Sequence, residues 1–94
     1  YTLSLHDALP ILFIISDKSD EVYHVIREMT NHDATLFKGI GCYEGKEKTL
    51  IYSVINSEAK RELLPLIRSI DEHAFINVVK TEELDGRFHD IPHD

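Results

Sequence analysis

The chain is short of most residues that mark specialised proteins. It holds one cysteine, no tryptophan, four glycines, three prolines and only ten basic residues against seventeen acidic ones. A single thiol, Cys42, excludes an internal disulfide and fits a reducing compartment. The formal charge of −7 sets the overall field against phosphate backbones, so no nucleic-acid partner is expected. The longest apolar run is Ala8 to Ile15, interrupted by Pro10, and a spanning helix needs about 20 residues. No basic region and no small-residue cleavage site mark the start as a secretion signal.

What is present reads as globular. Hydrophobic residues make up 43% and charged residues 29% of the 94 positions, too apolar for disorder. A chain of this length forms one domain with a thin core between a sheet and a helical layer.

Residues 1–11 stand apart. They have no clean period and no initiator methionine, and they resemble the peptide that results when sequencing-adapter read-through is translated. The expectation is a non-native leader, with a genuine linker as the alternative.

From Leu12 the pattern is regular. Leu12 to Ile15 predicts a buried strand. Ser19 or Asp20 is a candidate N-cap for a helix with Val22, Val25, Ile26 and Met29 inward. Ala34 to Phe37 predicts a second strand, closed by a glycine-bearing loop, and Thr49 to Ile55 a third. Asn56 or Ser57 opens a second helix with Leu63, Leu66, Ile67 and Ile70 inward, where Pro65 is expected to kink or split it. Ala74 to Val79 predicts a fourth strand, and residues 89–94 a flexible tail. The order β-α-β-β-α-β, with right-handed crossovers, gives an α+β domain: a ferredoxin-like plait, its four-stranded antiparallel sheet carrying both helices on one face. The other face is then open and invites a partner, often a second copy.

Ile14-Ile15-Ser16-Asp17-Lys18, Thr35, Lys38-Gly39, Gly41-x-Tyr43-x-Gly45, the Thr49–Ile55 strand, Asp71-x-x-Ala74-Phe75 and Gly86-x-Phe88 together resemble the soluble C-terminal domain of YitT family membrane proteins. The resemblance covers residues 12–88. It implies a ferredoxin-like fold, a parent protein with several transmembrane helices ahead of this domain, and a place on the cytoplasmic side of the membrane. It implies no activity, because that domain is one of unknown function. Three positions depart from the family pattern: His32-Asp33 stands for Arg-Gly, Cys42 for a small residue, and Glu44 for Thr or Ser. Glu44 adds negative charge to the loop and weakens its case for holding an anion.

The loop is the one segment that invites chemistry. Glycines at 39, 41 and 45 allow backbone N–H groups to turn toward a ligand. Tyr43 can stack on a ring, and Lys38, Lys46 and Lys48 can meet phosphates. The candidate ligand-binding set is therefore Lys38, Gly39, Gly41, Tyr43, Gly45, Lys46 and Lys48, for a small anion or nucleotide. The plain alternative is a solvated hairpin connection. The spacing is neither a Walker loop nor a dinucleotide fingerprint.

Other groups read more simply. Cys42 replaces a small residue. His89-Asp90 and His93-Asp94 offer metal donors without a frame to hold them, so no metal and no cofactor is expected. His24, His32 and His73 are surface or turn residues. Asp20 and Glu21, beside Asp17, complement a helix N-terminus, and Glu82, Glu83 and Asp85 lie in a polar tail. With no nucleophile–base arrangement, no catalytic residue is expected. Two functions fit: a non-catalytic, ligand-sensing regulatory domain of a multi-pass membrane protein, or a structural oligomerisation module without a ligand.

Overall fold

The computed structural model describes residues 9–30 and 33–85. Six elements follow in order: β1 (Pro10–Ile15), α1 (Ser19–Thr30), β2 (Thr35–Ile40), β3 (Glu47–Val54), α2 (Ser57–Ile70) and β4 (Phe75–Lys80). The four strands form one antiparallel sheet in the order β2-β3-β1-β4. This is the expected α+β plait.

β1 is rich in isoleucine and carries Phe13, residues that fit a pleated, half-buried surface, and it lies between β3 and β4. It starts at Pro10, two residues ahead of the expected Leu12. Proline is tolerated at the first position of a strand, where its missing N–H costs little. The Pro10 carbonyl accepts from the Ile55 amide at 3.1 Å and the Leu9 carbonyl from the Thr81 amide at 3.0 Å. Residues 9–11 thus belong to the packed domain, and only residues 1–8 of the expected leader lie outside the described residues.

Alternation along the strands sorts side chains onto two faces. Leu12 and Ile14 of β1 and Ile51 and Ser53 of β3 are buried on one face. Onto it pack Val22 and Ile26 of α1 and Ala59, Leu63 and Ile67 of α2, forming a single core. Ser53 is the polar member, and its hydroxyl is satisfied by the Asp33 carbonyl at 2.9 Å.

Among the described residues, the opposite face carries no helix. Register places Ile11, Phe13 and Ile15 of β1 there beside Leu50, Tyr52 and Val54 of β3. Thr35, Phe37 and Gly39 of β2 extend it on one flank, and Phe75, Asn77 and Val79 of β4 on the other.

The helices begin where local chemistry dictates. Asn56 caps α2, its side-chain oxygen accepting from the Ala59 amide at 2.7 Å, which satisfies one orphan N–H of the first turn. In α1 the Lys18 carbonyl receives the Val22 amide at 3.0 Å, ahead of either expected cap, and Asp20 and Glu21 occupy the first turn. α2 runs unbroken through Pro65. The expected inward positions are corrected at two places: Met29 and Leu66 are exposed, while Thr30 and Ala59 are buried instead. Among the described residues, no helix is long and apolar enough to cross a membrane.

Candidate functional site

The expected ligand loop is shorter than the sequence implied. β2 continues to Ile40 and β3 begins at Glu47, so Lys38, Gly39 and Lys48 are strand residues. Gly39 pairs with Lys48 and Lys38 with Thr49. The turn proper is Gly41 to Lys46, closed by Gly41 N–H donating to the Lys46 carbonyl at 2.8 Å and Gly45 N–H to the Gly41 carbonyl at 2.9 Å. Gly45 sits at φ +66°, a left-handed conformation that costs other L-residues roughly 1–2 kcal/mol. At its tip Tyr43 is fully exposed and Cys42 is exposed as a free thiol.

Each lysine of the expected site already faces a carboxylate. Lys38 Nζ lies 3.1 Å from Glu47, Lys46 Nζ 3.5 Å from Glu44, and Lys48 Nζ 3.8 Å from Asp17. Such exposed pairs hold by about 0–1 kcal/mol, weakly enough for a multiply charged anion to displace them.

Lys48 connects this loop to a second polar cluster. Because β1, β3 and β4 are antiparallel with Ile15 opposite both Leu50 and Phe75, the β1–α1 turn and the α2–β4 turn meet at the end of the sheet where the β2–β3 turn lies. Ser16 Oγ donates to Asp71 Oδ2 at 2.6 Å and accepts from the Lys18 amide at 2.9 Å. Asp71 Oδ1 accepts from the His73 amide at 2.9 Å. The Ser16 hydroxyl bond, reinforced by the His73 amide and the nearby His73 and Lys18 side chains, holds the Asp71 carboxyl below its ordinary value against the opposing effect of burial.

The cations here serve the helix. Lys18 Nζ donates to the Ile70 carbonyl at 3.1 Å, and Arg68 donates to the carbonyls of Glu72 and Ala74 at 2.9 and 2.7 Å. They satisfy carbonyls at and just beyond the C-terminus of α2, where positive charge is favoured. Between the two turns lies an open depression of about 620 Å3, lined by Asp17, Lys18, Asp71, Glu72 and His73 together with residues 68–70. Among the described residues no imidazole stands between Ser16 and Asp71; the His73 ring instead approaches Glu72 at 3.3 Å. The hydroxyl–carboxylate bond joins the two turns.

Of the expected residues, Lys48 is brought to Asp17, which lines the depression while Lys48 does not, and Gly41 packs beside Lys48, where an added Cβ would lie 3.5 Å from its Cε. Tyr43 points into solvent at the tip, and Lys38 and Lys46 pair within their own hairpin. Ser16, Lys18 and Asp71 were not expected at a site. Their signal was present in the Ile14–Lys18 and Asp71–Phe75 segments that carry the family resemblance. Among the described residues, no group of three or more His, Cys, Asp or Glu side chains is placed to hold a metal; His89, Asp90, His93 and Asp94 lie outside them, as does His32.

Comparison with known proteins places this geometry. Residues 32–86 match the family described as "Uncharacterized protein conserved in bacteria (DUF2179)". UPF0750 membrane protein YxkD of Bacillus subtilis (strain 168) is 32% identical over 73 residues, and UPF0750 membrane protein YpjC of the same organism 33% over 73 residues. Each alignment takes in 78% of this chain but only 26% of YxkD and 25% of YpjC, so the chain spans about a quarter of those relatives. The crystal structure of a DUF2179 protein from Eubacterium ventriosum has a TM-score of 0.66 at 20% identity, covering 78% of this chain and all of that one. A functionally unknown protein from Pediococcus pentosaceus ATCC 25745 has a TM-score of 0.71 at 15% identity, covering 86% of this chain and 98% of that one. These two share the fold. With more than half of its length inside the family match and membrane proteins of the YitT-like family as its relatives, the chain belongs to the DUF2179 family.

Proposed function

We propose that this chain is a non-catalytic, ligand-sensing domain of a multi-pass membrane protein, acting on the cytoplasmic side and reading a small anion or nucleotide at the loop end of its sheet. The observation that carries this reading is the approach of Lys48 to Asp17. It ties the glycine-bearing turn to the depression beside Ser16, Lys18 and Asp71. A phosphate entering there displaces a weak, exposed ion pair and gains a charge-assisted bond from Lys48. Tyr43, free at the tip, supplies a ring for a base.

Titrating the isotope-labelled chain with a panel of nucleotides, cyclic ones included, tests the proposal by NMR. Amide shifts concentrated at Gly41, Gly45, Lys48 and Asp17 support it, and a Lys48→Ala variant is expected to weaken binding about tenfold, the worth of one lost charge-assisted hydrogen bond. Silence across the panel removes the reading. A second reading, a ligand-free assembly module, is favoured by the helix-free face of the sheet.

A further inference from the structure

We infer that the sheet face left open by the described residues is an interface whose occupant is a second copy of this chain, packed sheet against sheet. This rests on the assembly reading and needs no ligand, although Lys48 lies both on this face and at the loop end.

The face is mostly apolar across all four strands, with Thr35, Lys48 and Asn77 as its polar members. At its centre the Phe13 and Tyr52 rings pair at 5.6 Å with a 53° tilt. Phe37 on one flank is 51% exposed and Phe75 on the other 64%. At about 200 Å2 per phenylalanine, those two rings alone leave about 230 Å2 open to water. Val79, 40% exposed, and the half-buried residues of the central strands extend the patch.

Charge selects the occupant. The chain carries −7 overall, yet the strand positions on this face hold one charged side chain, Lys48, and no carboxylate. Two acidic copies can therefore meet here without opposing their negative charges. A basic partner would find nothing to pair with. An anionic lipid surface would need a ring of cations around the patch, and the single lysine is already beside Asp17. A second copy brings a surface of the same extent, twist and polarity. Two such sheets pack in alignment at about −30° and about 10 Å apart, related by a two-fold axis that makes the contact self-complementary. Three strands of six residues and one of eight span a face of roughly 20 by 20 Å. That lies at the small end for specific association, so a weak dimer with a dissociation constant on the order of micromolar is expected.

Sedimentation velocity from micromolar to millimolar concentration tests this without ligand. The native chain is expected to pass from one copy to two. A Phe37→Glu/Phe75→Glu double variant should remain single at every concentration, with its circular dichroism unchanged because both rings are exposed in one copy. Ile40→Glu, an exposed change on the other face of β2, should pair as the native chain does. If the double variant misfolds, isotope-filtered NMR on a mixed-label native sample reads the same contact, and cross-copy signals between Phe37 or Phe75 rings and the partner sheet are expected. A native chain that stays single at millimolar concentration overturns the inference, as does a dimer without those cross-copy signals. So does a chain that stays single and instead co-sediments with phosphatidylglycerol vesicles.

Discussion

The Ser16 hydroxyl donates a 2.6 Å hydrogen bond to the Asp71 carboxylate, closing a contact between residues 55 positions apart. It forms because β1 and β4 are antiparallel neighbours with Ile15 opposite Phe75, so the residues flanking that pair meet at the sheet end. Ser16 is buried and its oxygen also receives the Lys18 amide. One hydroxyl thus fixes the entry to α1 relative to the exit from α2.

Removing that hydroxyl tests the joint. Ser16→Ala is expected to destabilise the chain by about 1 kcal/mol, the usual net worth of such a bond, read from the midpoint of urea unfolding. An unchanged midpoint would show that the two turns are held by their own backbones.

The same contact sets a pH dependence. Asp71 titrates below its ordinary 3.8, first because Ser16 donates to it and then because the His73 amide does. A carboxyl depressed in the folded state adds stability above its unfolded pKa and loses it as pH falls through the lower folded value. Stability should therefore decline below about pH 4, and Ser16→Ala should flatten that part of the curve. Parallel curves for the two proteins would contradict the assignment.

Leu63 and Leu66 share a helix but not a fate. Leu63 is wholly buried in the core, while Leu66 is exposed. Leu63→Ala is expected to cost about 2–5 kcal/mol, and Leu66→Ala under about 1 kcal/mol, by denaturant unfolding. Equal losses would mean that α2 is rotated from its assigned face.

Gly45 and Gly39 separate in the same way. Gly45→Ala forces a side chain into φ +66° and should cost about 1 kcal/mol. Gly39 is an edge-strand residue with nothing within 4 Å of an added Cβ, so Gly39→Ala should be neutral or slightly stabilising. Thermal unfolding of the two variants distinguishes them.

Much of the fold was legible because periodicity is a local property. Val22, Ile26, Leu63 and Ile67 repeat at helical spacing and form the core as expected. Met29 and Leu66 satisfy the same spacing and are exposed, because an apolar arc on a helix does not say where the sheet beneath it ends. Lys38, Gly39 and Ile40 have the composition of a loop, yet pairing with Lys48, Thr49 and Glu47 extends β2 through them. Pro10 reads as a break but opens the central strand, since its carbonyl is the group that the Ile55 amide requires.

By itself the sequence determined the order of the six elements, the apolar stripe of each helix and the alternation that splits the sheet into two faces. Those are properties of neighbours along the chain. Tertiary structure alone decided that Ser16 meets Asp71, that Lys48 reaches Asp17 and that Phe37 and Phe75 flank one uncovered surface. The physical reason is register. Which side chains meet across a sheet depends on how distant strands align, and no local pattern encodes that alignment.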